Sequence, residues 1–173
     1  SSSLDTIGSI ALSVADCAVA DQVLSGEGTL RPLHGAASGT FRLIVARGRL
    51  FDHCEKEVLD AFENAVRRLL ACGVQIEEGS IDSALDDVAR IDRIGMFPSI
   101  ELGATLRNLG IVCLDDVDPK TRVRIEAGAG ILAVDYVRMT RARQAAIQSF
   151  ESSFSENEVF IVPTTPIRAP LLS

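Results

Sequence analysis

The segment from Phe41 to Glu78 constrains the fold class. F-R-L-I-V-A-R at 41–47 is a short apolar run of the kind a buried strand needs, and V-Q-I-E-E at 74–78 alternates as a strand should. Between them Val58, Phe62, Ala65, Val66, Leu69 and Leu70 recur at spacings of three and four, which predicts a helix over about 54–72, ended by Cys72-Gly73. Strand, helix and strand joined by short connections build parallel sheets with right-handed crossovers. The predicted class is therefore α/β, with strands near 41–47, 74–79 and 158–162.

The third of those strands follows a second constraining stretch, Asp118 to Pro166. Asp118-Pro119 is a helix start: the Asp can cap free N–H groups, and Pro fits the first helical position. Leu132, Tyr136, Met139, Arg143, Ile147, Phe150 and Phe154 then fall on one helical face, while Arg138, Arg141, Gln144, Gln148 and Glu151 fall on the other. The spacing predicts one long helix feeding the strand V-F-I-V, which ends in P-T-T-P. Arg143 breaks the pattern, because a cation on a core-facing stripe is costly unless something pairs with it. It is either a snorkelling or ion-paired structural residue, or an anion or carbonyl clamp at a pocket.

The remaining elements read less sharply. A loop leads into a helix at Ser13, where Ser13 with Asp16 resembles a capping box; Val14, Cys17, Ala18, Val23 and Leu24 are its expected buried side, and Gly26 and Gly28 its stop. Residues 27–40 form a Gly-rich connector without the pattern of a phosphate loop. Two helical pieces are expected between Ser83 and Asn108, the first opened by Ser83 and Asp86, the second by Pro98 after a break at Gly95. Residues 109–117 read as a loop. Gly128-Ala-Gly130-Ile-Leu-Ala133 matches G-x-G-x-x-A, but the helical period runs through it, so small residues permitting close helix packing are the preferred reading over a dinucleotide site. No internal repeat or linker divides residues 1–173, which are expected to lie within one domain.

Composition excludes several functions. The net charge is −7 and the basic residues are mixed with acids, which argues against a nucleic-acid surface. No run of about eighteen apolar residues predicts a membrane span. The opening S-S-S-L-D-T has neither the basic start nor the apolar run of a signal peptide, and with no initial Met a processed chain or a fragment is expected. Cys17, Cys54, Cys72 and Cys113 are spread widely and, with His34 and His53, make no zinc spacing. Free buried thiols and a cytoplasmic setting are expected rather than two disulfides, because the apolar content of 47% is enough for a core. No metal and no cofactor is predicted. There is no G-x-S-x-G elbow, and Glu55, Lys56, Glu57, Asp60 and Glu63 read as a solvated helical face.

S-L-D-T-I-G followed by S-V-A-D and V-L-S-G resembles the segment just after the nucleophile region of the amidase signature family. Ser9 and Leu12 stand where that family usually has Pro and Arg. The elements at 41–72, the helix carrying Tyr136 and Arg143, and V-F-I-V-P-T-T-P-I-R-A-P look like the family's next elements in the same order, so the resemblance covers nearly the whole chain. It implies a slice of a three-layer α/β/α fold with a mixed central sheet. It further implies amide-bond hydrolysis on a small carboxamide by a Ser–cis-Ser–Lys triad, in which the Lys primes the middle Ser and backbone N–H groups hold the oxyanion. All three triad residues belong to motifs upstream of Ser1, so no catalytic residue is expected in this chain, and the run Ser1-Ser2-Ser3 is not the family's serine loop. The family's closing third is expected to be missing too. Tyr136 and Arg143 align with a Tyr and an Arg on the corresponding helix; in the branch that takes ammonia from glutamine that Arg holds the substrate carboxylate. Thr164 and Thr165 are expected to border the same pocket, and Asp5 and Thr6 to form structural hydrogen bonds. The implied partners are a small amide and either the missing parts of the fold or a second copy. The alternative is an amidase-like module that binds without chemistry.

Overall fold

A computed structural model describes residues 3–26, 28–32, 34–111 and 113–171. Ser1 and Ser2 of the opening serine run, Glu27 and Leu33 of the connector, Val112 of the 109–117 loop, and Leu172 and Ser173 lie outside the described residues. In chain order the elements are α1 (Val14–Leu24), β1 (Arg42–Arg47), α2 (Lys56–Ala71), β2 (Gln75–Ser80), α3 (Asp82–Asp92), α4 (Phe97–Asn108), α5 (Pro119–Ala129), α6 (Ala133–Glu151) and β3 (Glu158–Ile161). They fall into two compact units: Ser1–Gly35 with Gly95–Tyr136, and Ala36–Ile94 with Val137–Ser173.

The second unit holds the sheet and makes the chain an α/β protein. The strand order is β2-β1-β3, and both pairings are parallel, with Leu43 opposite Ile76 on one side and Val159 on the other. The central strand is the apolar run expected of it: Leu43, Ile44, Val45 and Ala46 are buried. Val66 of α2, Ile91 of α3 and Met139 of α6 are buried as well. Complete burial of a side chain the size of Val45 or Met139 contributes about 1.5–3 kcal/mol. Arg42 ties the three strands at one end, bonded to Glu77 of β2 and to Glu158 of β3. Arg47 holds the other end, reaching Glu63 of α2 and Glu78 of β2, with its guanidinium 5.0 Å from the centre of the Phe51 ring. Glu63 therefore has a lowered pKa, from its bond to Arg47. Glu158 is lowered first by the Ser155 N–H and then by Arg42.

The first unit packs α4 against α5. Phe97, Ile125 and Gly128 are buried there. A Cβ on Gly128 would stand 2.5 Å from the Ser99 carbonyl carbon and 2.7 Å from Ile100 N, so the helix backbones meet directly at this glycine. This is the close packing expected of the small residues, and the R-V-R-I-E segment before them lies within α5.

Several expectations are corrected. The single helix from 118 to beyond 150 is two: α5 does begin at the Asp118 cap, whose carboxylate accepts from the N–H groups of Lys120 and Thr121, but it closes at Gly130. Gly128 and Gly130 each cost helix stability of about 1 kcal/mol relative to Ala, enough to break the run despite an unbroken apolar spacing. The Leu132 carbonyl then starts α6, and Leu132 itself is exposed rather than part of a buried stripe. α1 is capped by Ser13 as expected, but Val14, Val23 and Leu24 are exposed, and Cys17 and Ala18 only half-buried. α3 starts at Asp82, one residue before Ser83, where the Ser80 hydroxyl accepts its N–H. On α2, Ala65 and Leu70 are exposed. The four thiols are free, but none is buried as expected: Cys17 and Cys54 are half-buried, and Cys72 and Cys113 are exposed.

Candidate functional site

Two polar arrangements carry the residues singled out in the sequence, one in each unit. In the first unit, Pro98 opens α4 and its helical period places Phe97 and Glu101 one turn apart on the buried side. Glu101 is a buried carboxylate, and its two oxygens are occupied by donors. Oε2 accepts from the Ser3 backbone N–H at 2.9 Å. Oε1 accepts from the Ser3 hydroxyl and from the Tyr136 hydroxyl, the latter at 3.2 Å. Such donors offset the cost of burying a polar carboxyl group at this depth. The Phe97 ring meets the Tyr136 ring edge to face, with centroids 5.7 Å apart. Burial first, and the bond to Glu101 second, push the Tyr136 pKa up, so the phenol stays a proton donor throughout the neutral range.

In the second unit, Thr164 and Thr165 follow β3 and line an open groove of about 450 Å³ against the first turns of α2. Val58 and Phe62 form the helical wall and Pro163 the loop wall. The loop is held in place by its own bonds: Glu55 N–H donates to the Pro166 carbonyl at 2.8 Å, and Arg168 Nε donates to the Glu55 carboxylate at 2.9 Å. That guanidinium lowers the Glu55 pKa. The Thr165 hydroxyl donates to the Ile167 carbonyl at 2.9 Å, leaving its oxygen as an acceptor toward the groove.

Comparison with protein-family models, with curated proteins and with solved structures finds no match.

Position by position, Tyr136 belongs to the first unit, whereas Arg143, Thr164 and Thr165 belong to the second. Arg143 is half-buried on α6; both threonines are exposed. Asp5 and Thr6 are exposed in the N-terminal loop. Glu55, Glu57 and Glu63 are engaged by Arg168 and Arg47, and Lys56 pairs with Asp60 one turn on. Among the described residues no group of three or more His, Cys, Asp or Glu side chains is placed to hold a metal ion, and no helix is long and apolar enough to cross a membrane. Glu101 was not singled out in the sequence. The signal was available: it is a charge one turn after Phe97 on an apolar helical face, the same oddity that marks Arg143.

Proposed function

We propose that this chain supplies substrate-pocket and scaffold elements of an amidase-type hydrolase acting on a small carboxamide, with the catalytic Ser–Ser–Lys triad contributed by sequence outside it. The observation that carries the reading is the placement of the P-T-T-P loop. The chain leaves the central strand β1 for β2 on one side, and β3 lies on the other, so the order reverses between β1 and β3. Ligands of open parallel sheets bind outside the carboxyl ends of the strands at such a reversal. The residues that follow β3 include the threonines, and they form the groove with α2. In this reading Thr164 and Thr165 border the carboxamide and Arg143, in the same unit, binds it through its guanidinium, while Tyr136 keeps the binding role that the resemblance implies. A cytoplasmic setting belongs to the same proposal.

The exposed apolar side chains of the N-terminal segment favour a second reading. Ile7, Ile10, Leu12 and Val14 stand open to solvent, as they would on a binding or interaction module awaiting a partner. Ammonia release from a panel of primary carboxamides separates the two. The intact parent protein hydrolyses at least one amide while this chain alone hydrolyses none. A parent that binds carboxamides without turning any over would leave the binding module.

A further inference from the structure

Glu101 has no task in the function proposed above, yet it is the buried charged side chain of the described structure, 6% exposed. An apolar residue one turn from Phe97 would bury more favourably, so the carboxylate calls for an explanation. Both of its oxygens are used: Oε2 by the Ser3 N–H, Oε1 by the Ser3 and Tyr136 hydroxyls. Two occupied oxygens fix the rotation of the carboxylate. The α4 turn that presents it is reinforced from behind by the Thr105 hydroxyl, which donates to the Glu101 carbonyl at 2.9 Å. Phe97 holds the Tyr136 ring from the side.

We propose that Glu101 is a positioning residue for Tyr136: it sets the phenol hydroxyl as a donor to its own Oε1, and it ties Ser3, at the head of the S-L-D-T loop, to the same carboxylate. Ring orientation, hydroxyl direction and loop position are then set together by one side chain. That Tyr136 meets a carboxamide rests on the function proposed above; the coupling of Glu101 to Tyr136 and Ser3 does not.

Tyr136 is the only tyrosine and the chain has no tryptophan, so tyrosine emission reports the surroundings of this one residue. A carboxylate that accepts the phenol proton quenches that emission. In the full chain, Glu101→Gln keeps size and an acceptor oxygen but removes the charge, and emission at neutral pH should rise about twofold with an unchanged far-UV spectrum. Ser3→Ala, which leaves the Tyr136 bond in place, should leave the emission within about a fifth of wild type. If Glu101→Gln fails to fold, Tyr136→Phe removes a single hydroxyl and should still move the carboxyl-carbon resonance of Glu101 in a glutamate-labelled sample. In a parent that turns over amides, Glu101→Gln should raise KM about tenfold and change kcat less than twofold. Folded Glu101→Gln with wild-type emission, or Tyr136→Phe with an unmoved Glu101 resonance, overturns the proposal. Altered emission with no carboxamide bound by the parent supports the coupling and removes the amidase reading instead.

Discussion

Gly128→Ala is the sharpest test of how the first unit holds together. The added methyl would stand 2.5 Å from the Ser99 carbonyl carbon, 2.6 Å from its oxygen and 2.7 Å from Ile100 N. All three are backbone atoms of α4, so no side chain can swing aside. Reaching an ordinary contact requires the helices to part by about 0.9 Å, a gap that forfeits a quarter to a half of each dispersion well across the interface. Overpacking of this kind costs about 1–3 kcal/mol. Replacing a helical Gly by Ala returns about 1 kcal/mol. With backbone on both sides the cost takes the upper end, and the net loss is about 1–2 kcal/mol. Gly103→Ala on α4 is the control. Its methyl would sit 3.6 Å from the Ile125 side chain, an ordinary contact, so only the helical gain of about 0.5–1 kcal/mol remains. Urea unfolding followed by Tyr136 emission should move the midpoint down for Gly128→Ala, by roughly 0.5–1 M, and up for Gly103→Ala. Equal or greater stability in Gly128→Ala would refute the direct helix contact.

Three further outcomes follow from the second unit. Among the described residues β2 and β3 each pair only with β1, so both flanks of the sheet are open edges. Sedimentation should show concentration-dependent association that Val159→Lys, at a half-exposed position of β3, reduces; a wild-type monomer across the range would count against it. The carboxyls of Glu55, Glu63 and Glu158 have folded pKa values below the ordinary 4.5, set by Arg168, by Arg47 and by the Ser155 N–H respectively. Their stabilisation is present above about pH 4.5 and is lost as the pH falls through the lower folded values, so the melting temperature should hold from pH 7 to 5 and drop below that; a rise on acidification would contradict the assignment. Gly48, at φ 114°, would place a Cβ 2.5 Å from the Asp82 carboxylate, so Gly48→Ala should lower the urea midpoint, and an unchanged midpoint would be inconsistent with that backbone.

The sheet unit was legible in the sequence because its signals were local and redundant. The run Leu43 to Ala46 permits little but a buried strand, and the helix from Lys56 closes against a Gly at φ 80° where Cys72-Gly73 announced a stop. The break between α5 and α6 was not legible from periodicity. Leu132 continues the spacing of Tyr136 and Met139, and only the helix cost of Gly128 and Gly130 argued otherwise. Ser13 marked the start of α1, but capping says nothing about what a helix packs on, and the apolar side of α1 stayed exposed. At the candidate site, the apolar strand before the threonines was legible, whereas Thr164 and Thr165 themselves entered only through the resemblance carried by the P-T-T-P block. Glu101 carries a local mark, a charge one turn after Phe97, but the bonds that explain it span 98 residues to Ser3 and 35 to Tyr136, which no local pattern shows.

The amidase reading is tested most directly by Arg143→Met in the intact parent, assayed for ammonia release from carboxamides and, on the same preparation, for urea stability. Met keeps much of the volume and removes the charge. If Arg143 binds substrate, kcat/KM falls on the order of a hundredfold, about 2.7 kcal/mol of transition-state binding, in enzyme that remains folded. A loss of about 3–5 kcal/mol in stability with near-normal efficiency in the folded fraction would instead make Arg143 a member of a buried structural pair and contradict the account.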